Sequence, residues 1–162
     1  MRIPVFVGVL LLCVLGACSS LRPSPGTPAS GAAAPKVSLA DEQRRLAELF
    51  RGTPVVFSMQ PDGSMRITVP LRYSFDKGRF AVKPPLGAVL ERVAKSQRTE
   101  ATRFLVAAPA DPHSKGLLLA TERATSARDY MVGRGVDATR FSISAFGSGD
   151  AVIIVVADAA AQ

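Results

Sequence analysis

Two charged residues in this chain are spaced for chemistry. Asp111 lies in Ala110-Asp111-Pro112-His113-Ser114-Lys115-Gly116, a loop composition broken by Pro and Gly. Arg123 lies inside the helical pattern that follows. A long Arg side chain leans back toward its helix N-terminus and the loop before it, so the acid and the base could line one small pocket. A carboxylate accepts hydrogen bonds from an ammonium, and a guanidinium offers a planar fork to a carboxylate. The pair could therefore capture a zwitterion. The alternatives are an internal salt bridge, or two unrelated surface charges. Glu122, Arg128 and Asp129 on the same helix read as a solvated face.

Other chemistries find little support. His113 is the only histidine and sits between Pro112 and Ser114, in loop composition. A nucleophilic triad needs a positioned serine and an acid beside it, and no Gly-x-Ser-x-Gly elbow occurs. One histidine and two cysteines, Cys13 and Cys18, give no zinc pattern. There is no phosphate-binding loop and no dinucleotide fingerprint, and Gly147-Ser148-Gly149 reads as a turn. The expectation is a binding protein without catalytic residues, metal or cofactor. The formal charge of +7 suggests an anionic neighbourhood. The basic residues are scattered singly, which favours a solvated basic surface over a nucleic-acid interface.

The elements that must position the pair follow from hydrophobic periodicity. Phe104 to Ala108 is a short apolar run closed by Pro109, and its length favours a strand, placed over Thr102 to Ala108. Helical spacing runs from Leu117 to Val132, with Ala120, Ala124, Ala127 and Met131 forming one narrow apolar stripe. Gly133 and Gly135 are stop signals. Earlier in the chain, Ser38-Leu39-Ala40-Asp41 resembles a capping box with Asp in place of Glu. Leu39, Leu46, Leu49 and Phe50 then predict an amphipathic helix ending at Gly52. Val55 to Met59 and Met65 to Val69 flank Pro61-Asp62-Gly63, a hairpin signal. Leu86, Val89, Leu90 and Val93 mark the buried face of a helix over Pro85–Ser96, with Pro85 suited to its first turn. Arg140 to Phe146 predicts a strand. Val152 to Val156 predicts a last, fully apolar and central one.

Strand, Asp-bearing loop, then Leu119-Ala120-Thr121-Glu122-Arg123-Ala124 opening a helix resembles the OmpA-like domain. The pair Phe75-Asp76, followed by a turn and a Pro-led helix, is similar to that family's entry segment. The resemblance covers about Leu71 to Ala157. It implies an α+β fold of two layers, a mixed β-sheet with helices packed on one face. It also implies non-covalent binding of the peptidoglycan stem peptide, with Asp111 and Arg123 holding the two ends of diaminopimelate. The chain departs from the family pattern in places. Ala108-Pro109-Ala110 stands where the family has Gly-His-Thr, Gly116 stands for an Asn, and the Asp-to-Arg loop is shorter. The family's longer segment and Arg pair before the last strand are missing, since Gly149-Asp150 leads straight into it.

The N-terminus reads as an address. Arg2 makes a minimal positive region, and Ile3 to Leu15 is apolar but short for a membrane span. It ends in Leu15-Gly16-Ala17-Cys18, which resembles the lipobox of bacterial lipoproteins; the alternative is an ordinary signal peptide with a chance cysteine. The resemblance implies cleavage before Cys18, acylation of that cysteine and, with Ser19 next, the outer membrane. Ser19 to about Val37 holds Pro23, Pro25, Pro28 and Pro35 and reads as a tether, reaching ~60 Å extended or roughly 24 Å as a flexible coil.

The expected organisation is thus a leader at 1–17, an acylated cysteine and tether at 18–37, a helix and hairpin at 38–70, an OmpA-like domain at 71–157 and a tail at 158–162. The expected function is a periplasm-facing outer-membrane lipoprotein that ties the envelope to peptidoglycan. The competing reading is a structural subunit of an envelope machine such as a secretion system. Cys18→Ser should abolish lipidation, measured by metabolic labelling with a palmitate analogue; equal label in wild type and variant would refute the anchor.

Overall fold

A computed structural model describes residues 38–112 and 117–160. The leader, Cys18, the tether and His113 lie outside the described residues. Helix α1 spans Leu39–Leu49, strands β1 and β2 span Val56–Met59 and Met65–Pro70, and a one-turn helix α2 spans Leu71–Ser74. Helix α3 (Pro84–Gln97) leads to β3 (Thr102–Pro109), α4 (Leu118–Val132), a 3-10 turn at Ala138–Arg140, β4 (Phe141–Phe146) and β5 (Ala151–Asp158). The strands form one sheet in the order β1-β2-β5-β3-β4. Only β3 and β4 pair in parallel; the other neighbours are antiparallel. A parallel pair needs a crossover, and α4 supplies it. The architecture is α+β with a mixed sheet, as the sequence implied.

Local signals explain most of the boundaries. The Ser38 hydroxyl accepts the Asp41 N–H at 3.1 Å and donates to the Asp41 carboxylate at 2.8 Å. The shorter acid thus takes the hydroxyl proton, where a glutamate would reach the cap N–H. At the hairpin, Gly63 has φ +80°, a left-handed conformation that costs a residue without Cβ little. The pairing of Met59 with Met65 closes the hairpin. The short helix α2 was not anticipated: Leu71 to Ser74 is too brief to carry a helical period.

One apolar core lies between the sheet and the helices. Met65, Ile67 and Val69 on β2, Val152, Ile154 and Val156 on β5, and Phe104 and Val106 on β3 all face it. Leu39 and Leu46 of α1, Leu86, Val89, Leu90 and Val93 of α3, and Ala124, Ala127 and Met131 of α4 close it from the other side. Phe104 stacks on Phe141 across the parallel pair, ring centroids 4.7 Å apart. The 38–70 segment contributes to this same core, and its hairpin extends the same sheet through β2 and β5.

One expectation needs correction. Leu49 is 50% exposed, because it falls at the last position of α1 and turns away from the sheet. Strand β5 is central and carries the apolar run, as the sequence predicted. Val152, Ile154 and Val156 are buried, while Ile153 and Val155 are half-buried on the side opposite the helices. Leu105, their neighbour in β3, is 39% exposed. Among the described residues no helix is long and apolar enough to cross a membrane. Ile154→Ala should cost about 2–5 kcal/mol in urea unfolding followed by circular dichroism. Leu49→Ala should stay within about 0.5 kcal/mol, so equal losses at both positions would contradict this core.

Candidate functional site

The alanine stripe of α4 decides where Arg123 goes. Ala120, Ala124 and Ala127 are fully buried and carry almost no side chain, so the helix lies close over the sheet. Arg123 projects from the same face and is 0% exposed. Its side chain runs back toward the helix N-terminus, as its direction on a helix requires.

A buried guanidinium must have partners, and these come from two separate stretches, 76–79 and 109–111. Nε donates to the Arg79 carbonyl at 3.0 Å, and Nη1 donates to the Pro109 carbonyl at 3.0 Å. Nη2 donates to the Asp76 carbonyl at 3.1 Å and to Asp111 Oδ1 at 2.6 Å. The Phe75 ring lies alongside, its centroid 5.4 Å from the guanidinium carbon. Asp111, two residues beyond the end of β3, also accepts the Gly78 N–H on Oδ2 at 2.6 Å. Gly78 has φ +66°, a left-handed turn that aims its N–H inward. Burial pushes the Asp111 carboxyl up. The hydrogen bonds from Arg123 and Gly78, with the charges of Arg123 and Lys77, outweigh that and hold it below the usual carboxylate range.

The two residues singled out by sequence thus meet, in direct contact. Expected to face each other across a ligand, they form an ion pair, and the Arg123 fork is turned to the protein's own oxygens. Asp111 is the outward member, with 14% of its side chain exposed. It sits on the wall of a cleft of about 860 Å³ that Leu71, Arg72, Phe75, Lys77 and Asp150 also line. Arg123 does not line it. Among the described residues no cluster of His, Cys, Asp or Glu could hold a metal ion.

Sequence reasoning missed the 75–79 segment as part of the site. Its contributions are backbone carbonyls and one N–H, which carry no side-chain signature. Gly78 between Lys77 and Arg79 was the one visible hint of a turn there.

Comparison with known proteins bears on the fold. The cell wall anchor of the T6SS from Pseudomonas aeruginosa superposes with a TM-score of 0.60 at 20% identity, covering 76% of this chain and 99% of that one. A MotB-like protein from Desulfovibrio vulgaris gives 0.59 at 14% identity, covering 74% and 92%. An OmpA-like domain from Francisella tularensis subsp. tularensis SCHU S4 gives 0.50 at 14% identity, covering 64% and 79%.

This chain has the OmpA-like fold. No family model matches the sequence, and no curated protein does. The OmpA-like fold here is kept by pattern and packing at low identity, and its charged pair sits where a strand end meets a helix.

Arg123→Ala should remove the donor from three carbonyls and from Asp111 together. The expected loss is about 3–5 kcal/mol of stability, read from urea unfolding. The lowered carboxyl of Asp111 fixes the sign of the pH effect. Its stabilisation is fully present above the unfolded carboxylate pKa, and it is lost as pH falls through the lower, folded value. Asp111→Asn should therefore flatten the acid limb of the stability profile. An unchanged acid limb in that variant would show that Asp111 carries none of it.

Proposed function

We propose that this protein binds the peptidoglycan stem peptide non-covalently through its OmpA-like domain. Acylated at Cys18, it would tether that layer to the outer membrane from the periplasmic side. The observation that carries the reading is the ionised Asp111, fixed by a buried Arg123 on the wall of an open cleft. An aimed carboxylate there suits the ammonium of diaminopimelate. Arg123 serves the site by holding Asp111 charged and in place.

The layout of the domain supports a tether. Ser38, the first described residue, lies beside Thr102 at the start of β3 and Asp158 at the end of β5. The cleft lies at the other end of these strands, beside Asp111 and Asp150. An eight-residue β3 separates the two ends by ~26 Å at the usual rise per residue. Ser38 and the cleft thus lie toward opposite ends of the sheet.

The likeness to a T6SS cell wall anchor favours a second reading, in which the domain is a structural subunit of an envelope machine. Co-sedimentation with purified sacculi separates the two. Wild type should pellet with the sacculi, and Asp111→Asn should reduce its affinity by at least about tenfold, which corresponds to ~1.4 kcal/mol. Wild type that remains in the supernatant would overturn the peptidoglycan reading and leave the machine subunit.

A further inference from the structure

The cleft beside Asp111 is lined by acids and bases together, and its bases are not equivalent. Lys83 is engaged: its Nζ contacts Asp76 Oδ1 at 2.8 Å and donates to the Arg72 carbonyl at 3.1 Å. Arg123 is engaged too, through four donated hydrogen bonds, and lies out of reach of solvent. Arg72 and Lys77 remain. Both line the cleft, both are exposed, and neither forms an ion pair among the described residues. The Arg72 guanidinium rests over the Tyr73 ring, 4.8 Å from its centroid.

These two side chains stand on held backbone. Arg72 belongs to α2, whose first N–H, that of Leu71, donates to the Asp150 carbonyl at 2.6 Å. The Lys83 bond to the Arg72 carbonyl pins the same turn from the other side. Lys77 precedes Gly78, whose N–H is fastened to Asp111. The backbone that carries the two cations is therefore fixed beside the wall that holds Asp111. Leu71, Phe75 and Pro112 add apolar groups to the same lining. Such a lining suits a short peptide that carries an ammonium and free carboxylates.

We infer that Arg72 and Lys77 form the anion-binding half of the cleft and take the carboxylates of the peptide whose ammonium meets Asp111. This rests on the proposed peptide-binding reading and adds to it a division of labour. Asp111 reads the cation, Arg72 and Lys77 read the anions, and Arg123 positions Asp111 without touching the ligand. The pairs are exposed, so their attraction is screened by salt.

The test is calorimetry on the full chain with two soluble stem peptides. One has free carboxylates; the other has them amidated and keeps its diaminopimelate ammonium. Wild type should bind the free-carboxylate peptide about tenfold more tightly than the amidated one, and that preference should shrink as salt rises. The double variant Arg72→Ala/Lys77→Ala should lose the preference while binding the amidated peptide as wild type does. Asp111→Asn should weaken both peptides alike. If the double variant keeps the full preference, the inference falls while the peptide-binding reading stands. If wild type binds neither peptide, both fall together. Unchanged unfolding midpoints for the double variant, whose side chains are exposed, would exclude misfolding as the cause.

Discussion

A positive charge with no solvent around it constrains this domain more than any other single feature. Removing a guanidinium from water is costly, and the cost is recovered only where good acceptors are fixed around it. Arg123 meets three carbonyls and one carboxylate, and no buried polar side-chain atom among the described residues lacks a partner. The carbonyls come from the 75–79 turn and from the end of β3, and the carboxylate comes from the loop beyond it. The 75–79 turn is some thirty residues from Pro109 and Asp111 in sequence, so one side chain staples the entry to α3 and a strand end to a helix. Asp111 gains its ionised state and its aim from the same contact.

The surrounding architecture makes that contact possible. Three buried alanines bring α4 down onto the sheet, and a bulky residue at Ala120, Ala124 or Ala127 would lift the helix and its arginine away. The crossover through α4 makes β3 and β4 parallel, which puts the end of β3 and the start of α4 at one end of the sheet. Strand β5 then fills the gap between β2 and β3, and its entry residue Asp150 completes the cleft. Ser38 is left at the opposite end. A single sheet thus separates Ser38 from the candidate binding surface.

Solved structures of this fold match the chain at 14% to 20% identity. That is consistent with what holds the domain together. The core asks for apolar volume at alternating strand positions and along one face of each helix, and many residues satisfy that. The charged centre is narrower in its demands, since only a guanidinium has the reach and the donors to join three carbonyls to an acid. The Ala108-Pro109-Ala110 stretch beside it contributes a carbonyl at Pro109, which no side chain can spoil.

Sequence by itself determined the elements and their kinds. The helical stripes of α3 and α4, the hairpin around Gly63 and the apolar run of β5 are periodicities and turn chemistry, and local physics suffices to set them. It also singled out Asp111 and Arg123, because charge types and spacing are written in the chain. Tertiary structure alone decided what that pair does. Backbone carbonyls are present at every residue, so nothing in the letters says which of them will surround a guanidinium. The inward turn of Arg123, the half-buried flank of β5 and the brief helix α2 are likewise set by what packs beside them. Burial is a property of the assembled layers, and a residue's solvent access is fixed only when the rest of the chain has taken its place.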